Sequence, residues 1–225
     1  MKLNSLPALT AGIMAVFTAS ASAAVTYTTV TGSGSPWSPF TPLNNDLLQT
    51  SLASATPTGT FDNEGSGAYT VLYDGSITIK TPNPLFDPQP GLAAVSTGAT
   101  LTFDLNVSTN IDGYDISQIV GYGGWGDTGR DDQNYSIYYS FVGNSNFTLL
   151  DTASVTETAG LAHKSDFGAS LSGVDAIRID FGAQENGYGG YGEFDVVGVP
   201  TVLVPEPTTV LLGGIGMLAL LRRRR

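Results

Sequence analysis

Between residues 176 and 181 apolar and polar positions alternate, with Ile177, Ile179 and Phe181 set against Arg178 and Asp180. The same period of two runs through Leu101, Phe103, Leu105 and Val107, interleaved with Thr102, Asp104 and Asn106. Successive side chains of a strand point to opposite faces, so each segment predicts one buried and one wetted face. Further strands are expected at 25–31, 69–73, 76–80, 118–122, 135–142, 147–156 and 192–199, beside 100–107 and 176–181. All are short and punctuated by Gly, Asn and Asp. One short helix is expected within 45–55, capped by Asn45 or Asp46. Eight or nine such strands and almost no helical period predict an all-β chain, a β-sandwich or jelly roll. A chain of this length buries a single core without disulfides.

The pattern changes at both ends. Lys2, a mostly apolar run over 6–19 and the small-x-small triplet Ala21-Ser22-Ala23 form a secretory signal, cleaved after Ala23. The competing reading, a buried helix, does not account for those flanks. At the other end Val204-Pro205-Glu206-Pro207 precedes fourteen uncharged residues, 208–221, and then Arg222, Arg223, Arg224 and Arg225. A helix of that length spans about 21 Å against a hydrocarbon core of roughly 30 Å. It becomes a transmembrane helix if 202–207 contribute or if the arginines snorkel. The arginines would stay cytoplasmic and the acidic domain outside, which describes a tethered export intermediate. The expected organisation is a signal peptide (1–23), an N-terminal extension (24–68), a β-sandwich (69–200) and a C-terminal sorting segment (201–225).

Composition narrows the chemistry. The chain has no cysteine and a single histidine, His163, which excludes thiolate metal sites, thiol catalysis and a disulfide scaffold. The formal charge is −11, and between Ala24 and Pro205 four basic residues face nineteen acidic ones. Nucleic-acid binding is disfavoured, because phosphate recognition needs clustered cations. Such a surface suits an extracellular domain that attracts cations.

The tail, Pro205-Glu206-Pro207, an apolar segment with Gly213, Gly214 and Gly216, and a terminal arginine cluster, resembles the PEP-CTERM sorting signal. That resemblance implies recognition by an exosortase, a membrane cysteine protease, and cleavage near 205–207. The membrane is then engaged only through the C-terminal helix before processing. Release or transfer to the cell surface or extracellular matrix follows, in association with exopolysaccharide production and biofilm formation. In the middle region, Tyr73-Asp74-Gly75, the segments 101–105, 116–120, 135–140 and 147–150, the turn Ser140-Phe141-Val142-Gly143, and the closing segments 176–181 and 192–198 follow one another in order. That order resembles the galactose-binding-like jelly roll of discoidin and coagulation-factor C-terminal domains, over about 125 residues. The family's disulfide is absent.

The stretch 121–134 reads as a loop from its glycines and carries Trp125, Asp127, Arg130, Asp131, Asp132 and Asn134. Sugar recognition needs an aromatic face beside planar hydrogen-bonding groups, which Trp125, Asp127, Arg130 and Asn134 supply. Alternatively Trp125 plugs the end of the core while Arg130 pairs with Asp131 or Asp132. A second glycine-rich loop, 184–191, either folds beside the first and offers Tyr188 for stacking or is a plain hairpin connection. Calcium is the one metal that the oxygen-rich composition suits. By the family resemblance a structural Ca2+ lies between the Asp-Gly turn and the closing strand, on Asp74 and Glu193. Asp62-Asn63-Glu64 is a second acidic cluster, readable as a solvated turn. His163 is expected at the surface of a polar connection, without a catalytic role.

These features favour a non-enzymatic, exported surface or matrix protein with a carbohydrate-binding sandwich, whose partners are the exosortase and exopolysaccharide glycans. The alternative is a secreted polysaccharide hydrolase working through a carboxylate pair about 5–9.5 Å apart in a cleft.

Overall fold

A computed structural model describes residues 24–31, 39–62, 67–77, 91–125, 129–156 and 161–202, with positions 213, 216, 217, 219 and 222 of the tail. In chain order the elements are β1 (Thr26–Thr31), α1 (Leu47–Thr50), β2 (Leu52–Thr58), β3 (Ala93–Ser96), β4 (Thr100–Leu105), β5 (Tyr114–Gly124), β6 (Gln133–Phe141), β7 (Thr148–Val155), β8 (Leu161–Phe181) and β9 (Tyr188–Pro200).

The 21-residue β8 organises the rest. Its first part lies between β1 and β5, and β5 continues to β9 and β3. Its last part lies between β4 and β6, with β2 beyond β4 and β7 beyond β6. The strand changes layers near Gly173, whose φ of +78° glycine adopts without steric cost. Every ladder is antiparallel, and the pairs Phe103↔Ile177, Leu101↔Ile179 and Ile137↔Ile179 put the alternating apolar positions on one face.

The two layers meet through aromatic rings. The Tyr135 ring of β6 lies 5.3 Å from Phe194 of β9 and 5.8 Å from Phe167 of β8. Phe181 and Tyr191 are 4.8 Å apart, edge to face. β6 and β9 are not ladder neighbours, so these contacts cross the sandwich and join one core. A smaller apolar cluster covers the opposite face of β5. There Val120, Tyr122 and Trp125 pack with Ile77, Leu92, Ala94 and Ala162 beneath Phe40 and Leu43. The segment before α1 is thus a flap over the outside of the sheet.

Several local expectations yield to this packing. Residues 69–73 form a 3₁₀ turn, not a strand, because only Leu72 is fully buried while Tyr69 and Tyr73 lie edgewise on Phe61 and Phe103. Of 76–80 only the first two residues are described, and neither is in a strand. The helix has four residues; Asp46 Oδ1 caps it by accepting the Leu48 N–H at 3.0 Å, and β2 begins at Leu52. The strand expected at 118–122 runs from Tyr114 to Gly124. Its glycines are required by neighbours: a side chain at Gly121 would collide with Tyr135 and one at Gly123 with Gln133. The first part of β8 is rich in small and polar residues, so no alternation announces it.

Candidate functional site

β5 ends at Gly124, and the chain returns as β6 from Gln133; Gln184 to Gly187 link β8 to β9. These two connections lie side by side. The Gly190 N–H donates to the Arg130 carbonyl at 3.0 Å, and Asn186 Nδ2 donates to the Gly129 carbonyl at 3.0 Å. Gln133 Nε2 donates to the Gly190 carbonyl at 2.7 Å, and Gln184 Nε2 to the Asn134 carbonyl at 2.6 Å. The Tyr191 hydroxyl receives the Asn134 N–H at 3.2 Å and donates to Gln184 Oε1 at 3.0 Å. The second loop therefore folds against the first, and their shared edge is a braced rim.

On that rim the guanidinium carbon of Arg130 lies 5.0 Å from the Trp125 ring and 5.5 Å from the Tyr188 ring. Arg130 and Tyr188 are half-buried, and so is Asn134, whose side chain fits against the backbone of Gly182. Trp125 departs from its reading as a sugar platform. It is 3% exposed, packs in the flap cluster and has Arg130 over one face, so it is a plug at the end of the sheet. Gly190 accommodates it: a Cβ there would stand 2.6 Å from Trp125 Cε3. Asp127 lies outside the described residues.

Under the flap is a different arrangement. Glu193 and Asp195 alternate with Phe194 and Val196 on β9, so the aromatic and aliphatic side chains enter the core while both carboxylates face the flap. Asp46, from the flap itself, completes a buried trio in which one oxygen of each residue lies within 4.8 Å of the others. Each carboxylate is held by one side. Asp46 Oδ1 accepts the Val196 N–H at 2.8 Å, and Glu193 Oε1 accepts the Gly75 N–H at 3.1 Å. Asp195 Oδ2 accepts from the Leu43 N–H at 2.7 Å and the Tyr122 hydroxyl at 3.0 Å. The second oxygens, Asp46 Oδ2, Glu193 Oε2 and Asp195 Oδ1, have no hydrogen-bond partner among the described residues.

Three buried acids oppose one another's ionisation, and Lys164 offsets this only in part, at Asp195. Burial first, and then the charges of Asp195, Asp74 and Asp46, push Glu193 up to about 9. Burial likewise lifts Asp46 to about 6 and raises Asp195. Hard oxygen donors converging from a flap and a strand fit a calcium ion. Asp74 stands apart from the trio: it is exposed, and its Oδ1 accepts the Ser76 N–H at 2.9 Å in its own turn. The Asp-Gly turn touches Glu193 instead through the Gly75 backbone. Asp46 and Asp195 are the members that sequence reasoning missed. The Glu-x-Asp spacing within a strand was the available signal, since it sets both carboxylates on one face.

The other expected residues fall as follows. His163 is 1% exposed within β8, with Nδ1 3.4 Å from Thr29 Oγ1, so it is a core histidine rather than a surface one. Burial follows from its strand being flanked by β1 and β5. Asp62 is exposed and bridges Ala94; Asn63 and Glu64 lie outside the described residues. So do Ala23, Pro205, Glu206, Pro207, Arg223, Arg224 and Arg225, whereas Arg222 is exposed. Among the described residues no helix is long and apolar enough to cross a membrane; most of the expected C-terminal helix lies outside them. A cavity of about 530 Å³ lies between Ile116, Leu171 and Val197, and Asp115 is the single carboxylate lining it.

Residues 203–225 match the PEP-CTERM protein-sorting motif, so the chain carries an export and sorting signal. No curated protein matches the sequence. Among solved structures, the chain is similar to the family 32 carbohydrate-binding module of Clostridium perfringens NanJ, in complex with galactose. Identity is 16%, coverage 68% of this chain and 97% of that one, and the TM-score 0.46. It is also similar to a Clostridium perfringens module, CpGH89CBM32-5, in complex with GalNAc-beta-1,3-galactose, at 16% identity, 68% and 99% coverage and a TM-score of 0.44. A third is CBM32-3 from a family 31 glycoside hydrolase of Clostridium perfringens, at 14% identity, 68% and 95% coverage and a TM-score of 0.44.

Proposed function

We propose that this exported protein is a non-catalytic glycan-binding module that an exosortase releases to the cell surface or extracellular matrix, where exopolysaccharide is its ligand. The supporting observation is the braced rim, where Arg130, a planar five-donor group, is stacked on the half-buried Tyr188 ring. A ring face for the apolar side of a sugar, next to fixed donors for its hydroxyls, is what carbohydrate recognition requires. The order of strand segments noted above supports the same reading. The cavity between Ile116, Leu171 and Val197 gives the hydrolase alternative no carboxylate pair. The cavity is lined by one carboxylate, and Asp115 Oδ1 already accepts from Ser172 and Thr201, each at 2.6 Å.

Glycan-array screening of the mature domain, residues 24–204, tests this function. Arg130→Ala and Tyr188→Ala are expected to lose retention with the thermal midpoint nearly unchanged. Retention that survives both substitutions, or hydrolysis of a bound glycan, contradicts it. A structural Ca2+ at Asp46, Glu193 and Asp195 is the second part of the proposal, supported by the three convergent oxygens. There the ion would balance the buried charge and fasten the flap to β9.

A further inference from the structure

The rim contains a second convergence of carboxylates, distinct from the trio under the flap. Asp131 and Asp132 follow Arg130 in the first loop, and Glu185 opens the second. One oxygen from each lies within 4.8 Å of the others. Asp131 is wholly buried, and neither of its carboxylate oxygens has a hydrogen-bond partner among the described residues. The Glu185 Oε2 atom is buried and in the same condition. A buried carboxylate without a donor is unfavourable unless a proton or a cation faces it. Burial, and then the neighbouring Glu185 and Asp132, raise Asp131 to about 6. A cation facing the three convergent oxygens would remove that cost.

We propose that Asp131, Asp132 and Glu185 form a divalent-cation site, suited to Ca2+, that clamps the two rim loops together. The donors are all carboxylate oxygens, which excludes the soft and imidazole-dependent metals. Ca2+ binds oxygen at about 2.3–2.6 Å, so its coordination sphere is roughly 4.6–5.2 Å across, the scale on which the three oxygens converge. The backbone around the site is already tied by the Gly190–Arg130 and Asn186–Gly129 hydrogen bonds, so an ion would lock a formed pocket rather than gather loose chain. Occupancy would fix Arg130, adjacent to Asp131, relative to Tyr188, three residues beyond Glu185. The ion site stands on its own; only its consequence for sugar affinity rests on the glycan-binding reading.

The test is a calorimetric titration of calcium chloride into chelator-treated full-length chain, compared with Glu185→Gln and with Asp131→Asn/Glu185→Gln. Glu185→Gln is expected to weaken one class of binding by roughly 10-fold or more, and the double variant to abolish it. Binding under the flap is the internal reference for folding, and Asp195→Asn identifies it by removing that class instead. If Glu185→Gln binds calcium with wild-type stoichiometry and affinity, the clamp is wrong, and the carboxyls share a proton instead. If the double variant unfolds, the single substitution decides by the same criterion. A wild-type chain that binds calcium only in the class lost with Asp195→Asn also overturns it. Loss of the rim class together with intact, calcium-independent glycan retention would leave the ion site standing and separate it from sugar binding.

Discussion

Arg130 holds its guanidinium carbon 5.0 Å from the Trp125 ring, so the residue that faces outward is braced by one that faces inward. The two therefore divide the properties a single exposed tryptophan would have combined. Trp125→Ala is expected to cost about 3–5 kcal/mol of stability, measured by urea denaturation, because it empties the flap cluster. Gly190→Ala is expected to destabilise through the same contact, since its Cβ would press on Trp125 Cε3 and the Gly124 carbonyl. A quencher-accessible Trp125 in a chain with Trp37 replaced would contradict the plug assignment.

The carboxylates under the flap set a pH dependence whose sign follows from their shifts. Glu193 moves from its usual 4.5 up to about 9, so between those values the folded chain holds a proton that the unfolded chain has released. Stability then falls as pH rises through that window, and Asp46, raised from 3.8 to about 6, adds the same sign over its lower part. With a chelator present the denaturation midpoint should decline from about pH 5 to about pH 9, and Glu193→Gln should flatten the decline. Added calcium should raise the midpoint most at the alkaline end, where the carboxylates are free to bind it. A midpoint that climbs with pH in chelator would refute this account.

On β8 the effect of substitution should follow the alternation. Ile177 and Ile179 are buried between β4 and β6, so Ile→Ala at either is expected to cost about 2–5 kcal/mol. Arg178 points outward, paired with Asp180 at 2.7 Å and stacked 4.7 Å from Tyr138 and 4.6 Å from Phe147. Arg178→Ala should cost under about 1 kcal/mol, because a surface pair and exposed cation–π contacts contribute little. Equal losses at all three positions in a denaturant series would contradict the register.

Sorting should depend on the tail alone. Replacing Glu206 with Ala, or deleting Arg222 to Arg225, is expected to leave an unprocessed, membrane-retained chain whose domain is folded as in wild type. Fractionation and immunoblotting read this directly. Normal processing of either variant would show that those residues are dispensable for exosortase recognition.

The strands at 100–105 and 176–181 and the sorting signal were legible in the residues themselves, because period-two alternation and an apolar run before arginines are local properties. Asp46 was equally legible as a helix cap, but its second role was not. The Val196 N–H that it accepts is 150 positions away, and only docking of the flap brings them together. The first part of β8 was hidden for a related reason: its buried face carries His163 and Ser165 beside Phe167, so burial alternates there without an apolar alternation to announce it. Trp125 shows the same division. Its place beside glycines left both a platform and a plug open, and the choice was made by Ile77, Leu92 and Ala162, which approach it from other parts of the chain. The sequence by itself therefore determined the alternating strands at 100–105 and 176–181 and the presence of an export and sorting signal. Which carboxylates converge, and which aromatic is covered, was decided by long-range packing, since burial depends on what the rest of the chain lays over a residue.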